Sequence, residues 1–189
     1  MPDSSLESNA TQVLSASDAA RVNARSAVEQ ELIELFDQWR DRLFRYLLGF
    51  SLTVADSEDI IQETFLALFL HLQSGKSRHN LRGWLFRVAH NLALKHQRSR
   101  RGSESISESI HQTLKPPAPN PEELFEMNET QKRLMAVMLT LPEQSRCCLY
   151  LRAEGLRYRE IAEVLDMSLG SVANCLERSV ARIARAAER

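Results

Sequence analysis

The sequence predicts an all-α protein of two small helical domains joined by a flexible linker. Three observations predict it. Apolar residues recur at three- and four-residue steps in several separate segments, the signature of helices with one buried face. Glycine and proline, six of each in 189 residues, are too few for a fold built on hairpins. A Ser-rich and then Pro-rich stretch, GSESISESIHQTLKPPAPN (102–120), separates two such groups of segments.

The totals set bounds on function. A chain of this length fits one domain or two small ones. No apolar run approaches the roughly 18–20 residues that cross a bilayer, so no membrane insertion is expected. The opening MPDSSLESNATQ lacks a basic n-region and an apolar h-region, so a cytoplasmic protein is expected. The formal charge of −1 gives no global attraction to nucleic acid, so any such binding depends on where the charges lie. Cys147, Cys148 and Cys175 lack metal-site spacing and read as reduced thiols filling core gaps. No metal site and no cofactor are expected.

Residues 1–25 are rich in Ser, Ala, Asn and Asp and read as a disordered tail. The first domain spans 26–101. Its first helix, about Ser26 to Phe50, carries the stripe Leu32, Phe36, Trp39, Leu43 and Leu47. A break at Ser51–Ala55 precedes ADSEDIIQETFLALFLHLQ, where Asp56 or Ser57 serves as N-cap and Ile61, Phe65, Leu68 and Leu72 face inward. Asp59, Gln62, Glu63 and Leu66 then fall on the outer surface. QSGKSRHN (73–80) is a loop.

The stretch Lys76–Arg101, KSRHNLRGWLFRVAHNLALKHQRSRR, holds eight Lys and Arg and no acid. Leu85, Val88 and Leu92 recur in it at helical spacing, with Trp84, Phe86 and Ala89 beside them. A helix with one face in a core and a cationic, partly aromatic face outward suits unpaired nucleic acid, because charge tracks phosphates and rings stack on bases. A solvated basic helix with its aromatics in the core is the other reading.

The second domain spans 121–189. Leu124, Met127, Gln131, Leu134 and Met138 mark one helix, and Pro142 opens another through about Ala153. Tyr158–Leu165 forms a short helix with Ile161, Ala162 and Leu165 inward. A tight turn at Asp166–Ser168 follows, and Ser168 caps a last helix with Val172, Leu176, Val180 and Ile183 inward. Two helices joined by about three residues, the second bearing arginines, make a helix-turn-helix.

ADSEDIIQETFLALF with GWLFRVAHNLALKHQRSRR resembles region two of the extracytoplasmic-function (ECF) sigma factors, of the sigma-70 family, of bacterial RNA polymerase. LPEQSRCCLYLRAEGLRYREIAEVLDMSLGSVANCLERSVARI resembles their region four. The resemblance covers nearly all of Leu32 to Arg185, in the family's order. It implies a sequence-specific transcription initiation factor, with core RNA polymerase and promoter DNA as partners and a possible anti-sigma factor. Asp59, Gln62, Glu63 and Leu66 match the surface that grips the polymerase's largest subunit. Lys76, Arg78, His79, Asn80, Arg82, Lys95, Arg98 and Arg101 match the part that holds the separated strand at the downstream element. Asn91 matches a pocket asparagine that faces a flipped base. Ser171, Asn174, Glu177, Arg178 and Arg182 match the upstream-element reader. The family's usual GTVxSRxxRAR pattern is basic where this chain has Cys175 and Val180, which implies weaker or differently specified upstream binding.

Other functions fit less of the chain. The five histidines are scattered, and no phosphate loop or catalytic constellation is recognisable, so no enzyme is expected. A stand-alone helix-turn-helix regulator leaves the basic stretch and the Asp59–Glu63 patch unexplained. A sigma-like protein acting mainly through protein contacts is the third alternative, suggested by the thinned recognition helix.

Overall fold

A computed structural model describes the backbone of residues 4–50, 52–104 and 128–187 and the side chains from Arg25 onward, apart from residues 51, 101–127 and 188–189. Within these residues the chain is entirely helical, in the order α1 (Ser4–Leu48), α2 (Val54–Gln73), α3 (Leu81–Glu104), α4 (Glu129–Thr140), α5 (Glu143–Ala153), α6 (Tyr158–Leu165) and α7 (Leu169–Ala187). The sequence 102–120, expected as a linker, lies outside this description except for the α3 backbone through Glu104. The α1 backbone is helical from Ser4, well before the apolar stripe begins. Its Ala- and Leu-containing early turns carry helix propensity that does not depend on a buried face.

The α1 stripe forms as expected, with Trp39, Leu43 and Leu47 buried. It packs on Ile61, Phe65, Leu68 and Leu72 of α2, and the Phe36 and Phe65 rings meet edge to face at 4.9 Å. The α2 N-cap is Thr53 and not Asp56 or Ser57. Its hydroxyl accepts from the Asp56 N–H, and the Asp56 carboxylate accepts in return from the Thr53 N–H, a reciprocal cap that uses Asp56 as the third helical residue.

The buried arc of α3 differs from the expected one. Leu85, Phe86, Ala89, His90 and Ala93 are buried, whereas Val88 and Leu92 are only half-buried. The reason is that α3 packs on three elements, α1, α2 and α6, so its buried arc lies between the two groups. Phe86 is fully enclosed, with its ring perpendicular to that of Tyr46 at 5.3 Å, so it is core and not a stacking platform.

In the second half, α4 begins at Glu129, and the Leu124 and Met127 of the expected helix lie outside the described residues. Gln131 is exposed because its side chain accepts from the Asn128 N–H, completing the N-terminal cap and leaving no inward role. Ile161 and Leu165 are buried as expected, with Val164, while Ala162 is half-buried. On α7, Val172 and Leu176 are buried, but Val180 is 55% exposed and Ser179 takes the inner position. A helix advances 100° per residue, and the Ser179 hydroxyl satisfies itself on the Cys175 carbonyl at 2.7 Å, so burying it carries little cost. Cys147 and Cys148 are buried free thiols and Cys175 is half-buried. Burial pushes the Cys147 thiol up to about 12, which suits a packing role.

The two cores are continuous. Tyr46 of α1 lies 5.6 Å from the Tyr150 ring of α5, and the Tyr150 hydroxyl donates to the Arg42 carbonyl at 3.1 Å. Arg146 donates to the Leu141 carbonyl on its own side and to the Gly49 carbonyl across the junction, at 2.7 and 3.0 Å.

His90 is buried beside this junction, with Nδ1 2.9 Å from the Tyr46 hydroxyl, and burial lowers its pKa from 6.5 to about 4. The folded state therefore binds fewer protons than the unfolded one between those values, and stability falls as pH falls from about 7 to about 4. The expected loss is about 2–3 kcal/mol. Urea denaturation across that range should show it, and His90→Gln should flatten the slope.

Candidate polymerase and nucleic-acid interfaces

Because the inward faces of α2 are fixed by Ile60, Ile61, Thr64, Phe65 and Leu68, the residues between them must point out. Asp59, Gln62, Glu63 and Leu66 are all exposed, and Leu70 continues the same face one turn on. Leu66 and Leu70 are 59% and 56% exposed, unusual for leucines on a helix otherwise well packed. An apolar ridge beside carboxylates has the make-up of a protein-binding patch.

The loop Ser74–Asn80 leads into α3. Gly75 has φ 68°, and Asn80 has φ 54°, both left-handed. The Asn80 side-chain oxygen accepts from the Gly83 N–H at 3.1 Å, and its carbonyl accepts from the Trp84 N–H. Asn80 is thus the residue that starts α3, and its place in the expected strand-binding set is overlaid on a capping role. A Cβ on Gly83 would lie 2.6 Å from the Asn80 amide nitrogen, so glycine there is what leaves room for the cap. Lys76, Arg78 and His79 are exposed on the loop, and Arg78 pairs with Glu31 of α1 at 3.1 Å. Trp84 is half-buried under His71, the rings 4.8 Å apart.

Along α3, Arg87, Asn91, Lys95 and Arg98 follow one another at steps of four, four and three on one exposed face. Arg87 belongs with Asn91, Lys95 and Arg98 although the motif match does not select it; its helical spacing is the signal that finds it. The side chain of Arg101 lies outside the described residues. The orientation of this face is locked at the α3 C-terminal end, where His96 and Arg100 lie 3.4 and 3.6 Å from Asp56. Desolvation alone would raise the Asp56 carboxyl; hydrogen bonds with Thr53 and the His96 and Arg100 charges bring it below its usual value.

Arg82 points elsewhere. It donates to the Glu154 and Gly155 carbonyls at 3.3 and 3.1 Å and lies 3.6 Å from the Glu160 carboxylate, all in the second half of the chain. On α7, Ser171, Asn174, Glu177, Arg178 and Arg182 are exposed. Ser168 caps the helix, accepting from the Ser171 N–H at 3.1 Å, and the Ser171 hydroxyl is 2.8 Å from that of Ser168. Arg182 donates to the Thr140 hydroxyl, and with Arg133 and Arg185 it lines a groove of about 510 Å³ between α4 and α7. The turn of the helix-turn-helix is closed by Asp166 in the left-handed conformation, φ 52°.

Residues 35–103 match the Sigma-70 region 2 family model and residues 131–183 match Sigma-70, region 4. Over 168 residues the chain is 30% identical to the ECF RNA polymerase sigma factor SigL of Mycobacterium tuberculosis, covering 85% of this chain and 92% of that one. It is 33% identical over 150 residues to the ECF RNA polymerase sigma factor SigE of Mycolicibacterium smegmatis, covering 77% of this chain and 57% of SigE. Two solved structures share the fold at 20% identity. One is the sigma factor RpoE in complex with the anti-sigma factor NepR, from Bartonella quintana (TM-score 0.60, covering 85% and 96% of the two chains). The other is CnrH in complex with the cytosolic domain of CnrY (TM-score 0.58, covering 87% and 92%). A chain with both regions in this order is a sigma-70-type transcription initiation factor. It belongs to the ECF sigma factor family. No described helix is long and apolar enough to cross a membrane.

Asn80→Ala should destabilise the protein by about 1–2 kcal/mol, since it removes a cap and leaves a Cβ residue in a left-handed backbone. Asn80→Gly, which keeps the backbone unstrained, should cost only a few tenths. Urea unfolding of the two variants checks the assignment.

Proposed function

We propose that the chain directs core RNA polymerase to promoters as two units, 26–101 and 121–189, tethered by residues 102–120. The α2 patch of Asp59, Gln62, Glu63 and Leu66 docks on the polymerase. The loop from Lys76 to Asn80 and the α3 face of Asn91, Lys95 and Arg98, continued by Arg101, take the separated strand of the downstream element. Asn91 offers a donor and an acceptor to an unstacked base edge. The α7 residues Ser171, Asn174, Glu177, Arg178 and Arg182 enter the duplex groove of the upstream element. The protein works in the cytoplasm without catalysing a reaction itself, since the polymerase forms the bonds. An anti-sigma factor is a further partner by analogy, since RpoE of Bartonella quintana was solved in complex with the anti-sigma factor NepR.

The observation that carries this reading is the α3 face. Arg87, Lys95 and Arg98 flank an exposed Asn91 and form no ion pair among the described residues. Cations held on a rigid helix around one hydrogen-bonding amide suit a single strand better than a protein core. The exposed Val180, at a position where the family pattern is basic, supports weaker upstream binding.

Transcription with purified core enzyme on a responsive promoter should depend on this chain, and a lack of initiation would refute the assignment. Lys95→Ala with Arg98→Ala should reduce the salt dependence of single-strand binding by a slope of about 1.4, about 0.7 for each lost phosphate contact. Arg178→Ala should weaken promoter binding by about tenfold, the scale of one lost base contact, while leaving core-polymerase binding intact. Co-purification with the core enzyme, lost on Asp59→Lys with Glu63→Lys, separates the polymerase patch from both DNA surfaces.

A further inference from the structure

The surface assigned to the separated strand is not open along its whole length. Where α3 begins, the second half of the chain sits on it. Arg82 is held by two backbone carbonyls and the Glu160 carboxylate, and the Glu160 side chain is only 19% exposed. Beside this contact lies a cleft of about 210 Å³, one wall formed by His79, Asn80 and Arg87 and the other by Glu160 and Glu163. The contact is also built from behind. Arg42 of α1 pairs with Glu154 at 3.2 Å, with the Glu154 side chain 13% exposed. Gly155 turns left-handed at φ 84°, a backbone that favours glycine, and the Arg82 guanidinium lies close against it, 3.2 Å from where a Cβ would stand. Tyr150 ties α5 to the Arg42 carbonyl.

Two carboxylates, those of Glu160 and Glu163, thus line the cleft beside the start of the surface proposed to take the strand. We propose that the acidic face of α6 is an intramolecular strand mimic: in the free chain Glu160 and Glu163 occupy the phosphate-binding end of the α3 groove, so single-stranded DNA binds only after the two halves part. This rests on the strand-binding role proposed for α3. Glu160 is suited to the task because its carboxylate is already fixed, accepting from the Arg157 N–H at the start of α6. A ligand that binds only the open form sees an affinity reduced by the open fraction, so weakening the closure strengthens binding by the same factor.

Two variants of the full chain test this, with fluorescence anisotropy on a labelled 12-mer single-stranded oligodeoxynucleotide and hydrogen–deuterium exchange across 79–87 and 154–164. Glu160→Gln with Glu163→Gln keeps a capping side chain at position 160 and should raise affinity severalfold. Tyr150→Phe changes no charge and touches no residue of the cleft, yet it should raise affinity about threefold by removing one hydrogen bond of the closure. Faster exchange should accompany both. If the wild type binds and neither variant binds more tightly, the mimic is refuted and the α3 reading stands. A gain with Gln but none with Tyr150→Phe, exchange included, also refutes closure, leaving only a charge effect. If exchange rises in both variants and no form binds the oligonucleotide, the mimic and the α3 strand surface both fall.

Discussion

The rotation of α3 about its own axis is the constraint on which the other features depend. Leu85, Phe86, Ala89 and Ala93 are completely buried, and Phe86 is pinned edge-on between Trp39 and Tyr46, at 6.3 and 5.3 Å. A close-packed core does not let such a helix roll, because any turn opens a void on one side and a clash on the other. Once that arc is fixed, the 100° step between residues leaves Arg87, Asn91, Lys95 and Arg98 no choice but to face out. Core packing thus sets the geometry of the surface proposed to take the strand, and Tyr46 ties that packing together, its ring within 6.3 Å of those of Phe50, Phe86, His90 and Tyr150.

Charge placement does the rest. A net charge of −1 conceals a segregation, with carboxylates on the outer face of α2, cations along α3, and Glu160 and Glu163 on α6 beside a single arginine, Arg159. At physiological ionic strength exposed charges interact over about 8 Å, so each patch acts on what touches it and hardly at all on the next. One chain can therefore present an acidic surface to a protein and a basic one to DNA. Where opposite patches are brought within 4 Å, as Arg82 and Glu160 are, attraction within the chain competes directly with attraction to a ligand.

How much of this could be read from the residues follows from where periodicity is the controlling variable. On α2 and in the first turns of α7 a single helix face packs on one neighbourhood, and the three- and four-residue pattern marks both the buried and the presented residues. It fails on α3, where Val88 and Leu92 form as regular a stripe as Leu85, Ala89 and Ala93 do, and packing on α1, α2 and α6 together decides between them. It fails at Val180, whose apolar character predicts burial although the hydroxyl of Ser179 can be satisfied within its own helix. Asn80 was legible as a loop residue, but its cap on Gly83 depends on a left-handed backbone that sequence does not display. The partners of Arg82 were beyond reach altogether, because they lie more than seventy residues away and no local pattern encodes a contact between halves.

The junction between halves also has to meet two opposed requirements. An ion pair at the surface edge such as Arg42 with the half-buried Glu154 contributes on the order of 1 kcal/mol, and a single hydrogen bond such as that of Tyr150 about 0.5–1.5 kcal/mol. Polar contacts thus ring the apolar ones at the junction, the mixed character of interfaces between domains, for which relative motion of the parts is the ordinary behaviour. Had the junction been wholly aliphatic, separating it would expose apolar surface at roughly 25 cal/mol per Å², and opening would be beyond what a few phosphate contacts can offset. Polar contacts differ in that each group released finds water or DNA instead. In the closure proposed above, Arg82 exchanges the Glu154 and Gly155 carbonyls and the Glu160 carboxylate for water on opening, so parting the halves at this contact costs little.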